Sequence, residues 1–127
     1  MSRPRVFATT TVLVVSDLSR ALDFYARLGF GEPATFGEPP VFAMANREGY
    51  DLMLKLGTPH PADDAWAMHL RIADLAAEED ALRSAGVAIA RGPMTTEYAM
   101  YELEVVDPDG HRICFGQDVE RRPEDRD

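Results

Sequence analysis

Residues 105–116 read Val105-Val106-Asp107-Pro108-Asp109-Gly110-His111-Arg112-Ile113-Cys114-Phe115-Gly116. Apolar and β-branched residues flank a short polar insert, the pattern of two strands joined by a turn. Pro108 holds φ near the value that the second position of a turn requires. Gly110 supplies the permissive backbone that lets the chain reverse. The run is therefore a hairpin, and by itself it carries no chemistry. Its meaning comes from what precedes it.

Thr9 to Val15 are β-branched or leucine throughout, which predicts a largely buried strand. Asp17 follows, and then Leu18, Ala21, Leu22 and Tyr25 at i, i+3, i+4 and i+7, one face of a helix. Asp17 is placed to cap that helix and Gly29 to end it, giving a helix over about 18–28. Strands follow at Glu32–Phe36, Val41–Ala45 and Asp51–Leu56; the prolines make the first a poor central strand. Residues 58–65, with Pro59 and Pro61, read as a linker. Trp66 to Ile72 alternate as a half-buried strand, and a second helix runs from Asp74 to Gly86. Val15, Asp17, Leu18, Asp23 and Gly29 recur as Ile72, Asp74, Leu75, Asp80 and Gly86, each 57 residues further on. That repeat in register is the main organisational signal. Strands at Val87–Ala90, Tyr98–Val106 and Arg112–Gly116 complete the second unit. The expected fold is α+β, two βαβββ modules at 1–57 and 66–117, with 118–127 a charged, disordered tail.

Composition narrows the function. The formal net charge is −9, so no basic footprint for nucleic acid is present. The same field favours cationic ligands, although acidity also simply keeps soluble proteins apart. No apolar run is long enough to span a membrane, and residues 1–11 are too polar for a signal peptide. The single cysteine, Cys114, rules out an intrachain disulfide and fits a cytoplasmic setting.

Val14-Val15-Ser16-Asp17-Leu18, Asp23-Phe24-Tyr25 and Leu28-Gly29-Phe30, together with Tyr101-Glu102-Leu103, Asp107-Pro108-Asp109-Gly110-His111 and Phe115-Gly116-Gln117, resemble the vicinal-oxygen-chelate superfamily. This is the glyoxalase, bleomycin-resistance protein and dioxygenase group. The second stretch is most similar to the bleomycin-resistance-like subgroup. The resemblance spans about residues 9–117. It implies a curved mixed sheet around a cleft, helices on the outer face, and a homodimer. It also implies where enzymes of the group hold a divalent metal: at Thr10, Met53 or Lys55, Ala67 and Cys114 of this sequence. Such residues do not make a usual hard-metal site, which needs converging imidazoles and carboxylates.

What remains is a pocket. Strand alternation divides each sheet into an apolar face and a mixed face. Leu13, Val15, Leu52, Leu54, Met68, Leu70, Leu103, Val105, Ile113 and Phe115 fall on the first. Thr10, Met53, His69, Arg71, Glu102, Glu104, Arg112 and Cys114 fall on the second. Taken alone, that second face is a solvated surface; the resemblance makes it the cleft lining. Phe36, Phe42, Trp66, Tyr98 and Tyr101 are candidates for aromatic walls, although alternation puts Trp66 with the core side. Arg71 or Arg112 is expected to pair with Glu102, and His60 and His111 to be exposed. A lone buried Cys114 reads as a small hydrophobe rather than a nucleophile. The resulting expectation is a binding protein for a small cationic or aromatic molecule, with no catalytic residue, metal ligand or cofactor. The alternative is a metal-dependent glyoxalase, isomerase or dioxygenase of the same superfamily.

Overall fold

The computed structural model describes residues 2–119. Two compact units divide the chain between His60 and Pro61. The first holds β1 (Thr10–Val15), α1 (Leu18–Arg27), β2 (Gly31–Phe36), β3 (Phe42–Arg47) and β4 (Tyr50–Leu56). The second holds β5 (Trp66–Arg71), α2 (Leu75–Ser84), β6 (Arg91–Thr95), β7 (Met100–Val106) and β8 (Arg112–Asp118). Each unit is βαβββ and each sheet is mixed, with strand orders β1-β4-β3-β2 and β5-β8-β7-β6. In both, the first strand pairs in parallel with the last, and the other pairings are antiparallel.

The repeated caps form as their sequence dictates. Asp17 accepts from the Arg20 backbone N–H at 3.0 Å, and Asp74 accepts from that of Ala77 at 3.1 Å. Gly29 and Gly86 take φ +93 and +81, the left-handed conformation that ends a helix without a Cβ penalty. Pro33 and Pro93 lie on β2 and β6, the edge strands, where a missing backbone donor faces away from the ladder.

The cores are the apolar faces expected from alternation. In the first unit Leu13, Val15, Leu52 and Leu54 are buried with Leu18, Ala21 and Tyr25 of α1. In the second, Leu103, Val105, Ile113 and Phe115 are buried, as are Leu75 and Leu82 of α2. Gln117 ties α2 to the sheet, its Oε1 accepting from the Leu75 N–H at 2.8 Å.

The 107–110 turn is held by Asp107. Its Oδ1 accepts from the N–H groups of Asp109 and His111 at 3.0 and 2.7 Å, and the Gly110 N–H donates to its carbonyl at 3.0 Å. His111 corrects the sequence expectation. It is buried, not exposed, because its Nδ1 meets the buried Asp107 Oδ2 at 2.8 Å. Strand bounds also differ, most of all in the second unit. Residues 87–90 form no strand; Val87 anchors the chain in the core and β6 begins at Arg91. Tyr98 lies in the turn before β7. β8 continues through Asp118, the first residue of the expected tail, and residues 120–127 lie outside the described residues.

Candidate functional site

The mixed face of the second sheet gathers most of the chemistry. Cross-strand register sets His69 beside Cys114, Cys114 beside Glu104, and Glu104 beside Arg91. One row along, Arg71 is beside Gly116, Gly116 beside Glu102, and Glu102 beside Met94. Alternation alone puts Trp66 under the sheet. A register shift between Trp66 and Met68 moves it onto the mixed face, opposite Arg112. There its ring sits 4.9 Å from that of His69 and stays 39% exposed.

Glu104 is the hub of this face. Its Oε2 accepts from Trp66 Nε1 at 3.1 Å and from Arg91 Nη1 at 2.8 Å. Its Oε1 accepts from Arg112 Nε at 3.1 Å and from Arg112 Nη2. Arg112 also donates to the Asp63 carbonyl at 2.8 Å, which ties the segment before β5 to the hub. Burial alone would push the Glu104 carboxyl upward. The hydrogen bonds from Trp66, Arg112 and Arg91 outweigh burial and hold it below its ordinary value. The expected pairing of Arg112 with Glu102 is therefore corrected: register puts Glu104, not Glu102, within its reach. Beside the hub a groove of about 470 Å³ runs along Arg91, Glu104 and Arg112, walled by Pro61, Ala62 and Val106. That volume lies in the range of small-molecule sites.

Glu102 has a different environment. Tyr98 donates its hydroxyl to Oε1 at 2.6 Å, which raises the tyrosine's own pKa. Oε2 is buried with no hydrogen-bond partner, 3.6 Å from His69 Nε2. Cys114 completes the cluster: the nearest ligand atoms of His69, Glu102 and Cys114 all lie within 4.8 Å of one another. The thiol is fully buried and is pushed up to about 12, first by burial and then by the charge of Glu102. An imidazole, a carboxylate and a thiol suit a borderline ion such as Zn²⁺, and do not suit Ca²⁺ or Mg²⁺, which prefer all-oxygen shells.

The remaining sequence-derived residues distribute as follows. Thr10, Met53 and Phe42 lie in the first unit, opposite Asp51, Met44 and Lys55 respectively. Phe42 stacks on Phe36 with ring centroids 4.6 Å apart. Tyr101 alternates with Glu102 and so shares the strand face of Leu103 and Val105. Arg71 is exposed at the end of β5. Sequence reasoning missed Arg91, because the strand was expected to end at Ala90. Its one signal was Gly92-Pro93, which reads as a strand irregularity. Gly92 has φ +82, and a Cβ there would sit 2.6 Å from the Glu102 carbonyl oxygen. Only glycine lets β6 close onto β7 so that Arg91 reaches Glu104.

The family model described as the Glyoxalase/Bleomycin resistance protein/Dioxygenase superfamily matches residues 8–115. The chain belongs to this superfamily. Among solved structures it is similar to TnmS3, an antibiotic binding protein from Streptomyces sp. CB03234. The identity is 27%, covering 92% of this chain and 99% of that one, with a TM-score of 0.71. It is also similar to a bleomycin-binding protein complexed with bleomycin, at 25% identity, 89% and 98% coverage and a TM-score of 0.71. A bleomycin resistance determinant encoded on the transposon Tn5 shares the fold at 23% identity, 89% and 98% coverage and a TM-score of 0.73. A search of curated proteins gives no match. No helix among the described residues is long and apolar enough to cross a membrane.

Proposed function

We propose that this chain binds a small aromatic or cationic molecule of the antibiotic kind on the mixed face of its second sheet, and holds it without converting it. The observation that carries the proposal is the groove beside Glu104. It is lined by a buried carboxylate fixed by Trp66, Arg91 and Arg112, and the indole that donates to this carboxylate is itself partly exposed. Such a lining is preorganised, so little side-chain ordering is left for the ligand to drive. Trp66 and Tyr98 offer faces for an aromatic ring. Arg91, half exposed, offers further donors to polar substituents. The similarity to the antibiotic binding protein and to the bleomycin-binding protein supports the same reading.

Cys114 supports holding over turnover by a thiol nucleophile. It is the only cysteine, and a buried thiol pushed up to about 12 is a poor nucleophile at neutral pH. The proposal includes a cytoplasmic homodimer, with self-association measured by sedimentation. Calorimetry against bleomycin and a panel of aromatic and cationic antibiotics tests the function. Saturable binding with the compound recovered unchanged by mass spectrometry supports it. Conversion of the bound compound, or silence across the panel, contradicts it. Conversion would favour the superfamily's enzymatic members instead.

A further inference from the structure

We infer that His69, Glu102 and Cys114 form a binding site for a borderline-soft divalent cation, Zn²⁺ being the natural occupant. The site is complete within the second unit. Its donors come from β5, β7 and β8, which lie side by side in the order β5-β8-β7. Their atoms already lie within 4.8 Å of one another, and His69 Nε2 is 3.6 Å from Glu102 Oε2. With Zn–N and Zn–O bonds of about 2.05 Å and a Zn–S bond of about 2.3 Å, tetrahedral donors stand roughly 3.3–3.6 Å apart. The imidazole and carboxylate are already at that spacing. The thiolate has to close by no more than roughly 1.3 Å.

Glu102 gives the independent reason. Its side chain is 2% exposed, and Oε2 is the one buried side-chain polar atom among the described residues that has no hydrogen-bond partner. Leaving a buried carboxylate oxygen unsatisfied is unfavourable unless something fills it. Tyr98 holds the other oxygen and so aims Oε2 at His69, the outer-sphere arrangement that orients a ligating carboxylate. Gly116 supplies the room. A Cβ there would stand 2.9 Å from His69 Cε1 and 3.0 Å from Nε2, so the imidazole lies across β8 only because this residue has no side chain. The glycine's φ is not in the left-handed region, so its absent Cβ matters for space rather than for conformation.

The charges balance. The Cys114 proton leaves to solvent as the S–metal bond forms, and a thiolate with a carboxylate neutralises a dication. The His69 side chain is 26% exposed, so the ion can enter from that side and keep a fourth position for water. The site shares Cys114 with the metal arrangement that the superfamily resemblance implies, but that arrangement draws on both modules, puts Ala67 rather than His69 on β5, and does not use Glu102. It also departs from the sequence expectation of no metal ligand. The proposed small-molecule function does not depend on it.

The test uses the full chain stripped with a chelator and titrated with Zn²⁺ by calorimetry and with Co²⁺ by absorption. One Zn²⁺ per chain is expected, with a near-ultraviolet thiolate-to-cobalt band. Cys114→Ser should abolish that band. His69→Asn and Glu102→Gln should each weaken Zn²⁺ binding by about tenfold or more. Gly116→Ala should weaken it by displacing the imidazole, whereas His60→Asn should leave it unchanged. His69→Asn changes a partly exposed side chain, so circular dichroism is expected to show the fold intact. Absence of stoichiometric Zn²⁺ uptake, or uptake unaltered in a folded His69→Asn or Cys114→Ser protein, overturns the inference. Antibiotic binding measured in excess chelator reports on the proposed function separately.

Discussion

Replacing Arg112 with methionine should destabilise the second unit far more than the same change at Arg91. Both guanidiniums bind the Glu104 carboxylate, which is 2% exposed. Removing one partner of a buried ion pair costs about 3–5 kcal/mol when the remaining charge is left alone. Here Trp66 and Arg91 would still donate, and the Arg112 side chain is itself 27% exposed, which brings the expected loss to about 2–3 kcal/mol. Arg91 is about half exposed and makes one of the four hydrogen bonds, so R91M should cost much less than R112M. Urea unfolding followed by circular dichroism measures both, with an unchanged m-value showing that the same surface unfolds. The pH dependence adds a second readout. In the parent protein Glu104 titrates below its ordinary value. Its contribution is thus full above the ordinary carboxylate range and is lost as the pH falls through the folded-state value. In R112M burial is less well offset, so the carboxyl moves upward and its protonation relieves the buried charge. The deficit relative to the parent should narrow as the pH falls through the variant's raised carboxyl value. Equal losses in the two variants, or a deficit that ignores pH, would refute the hub.

Other outcomes follow from single residues. Asp17→Ala and Asp74→Ala each remove an equivalent capping bond and should cost about 1 kcal/mol apiece by urea titration. Gly92→Ala and Gly49→Ala both force a Cβ onto a left-handed backbone. Gly49 faces open space, while at Gly92 the Cβ meets backbone at 2.6 Å, so the melting temperature should fall much further at 92. The Cys114 thiol should resist alkylation in the folded protein at pH 8 and react quickly in urea. Because its folded-state value is raised to about 12, stability should decline as the pH climbs above the ordinary thiol range of about 9.

The fold was legible because its signals are local. A cap, an amphipathic turn and a terminating glycine recur 57 residues apart, and strand alternation separated core from mixed face. The face's residues were legible for the same reason: His69, Glu102, Glu104, Arg112 and Cys114 share it by parity. What parity could not supply was departure from parity. Trp66 reaches the mixed face through a register shift, and Arg91 reaches Glu104 through the irregularity at Gly92. Neither follows from a period of two. Partner choice was also hidden, since Arg112 meets Glu104 and not Glu102 by register alone. His111 was misread because the side chain that buries it, Asp107, looked like a simple turn residue.

Trp66 is the only tryptophan in the chain and stands on the proposed binding face. Its fluorescence therefore reports on that face and nowhere else. Titration with bleomycin and with aromatic and cationic antibiotics should give a saturable change in Trp66 emission, weakened in R91M and R112M. Emission that stays flat across the panel, or binding heats unchanged by those substitutions, would contradict a ligand site on this face.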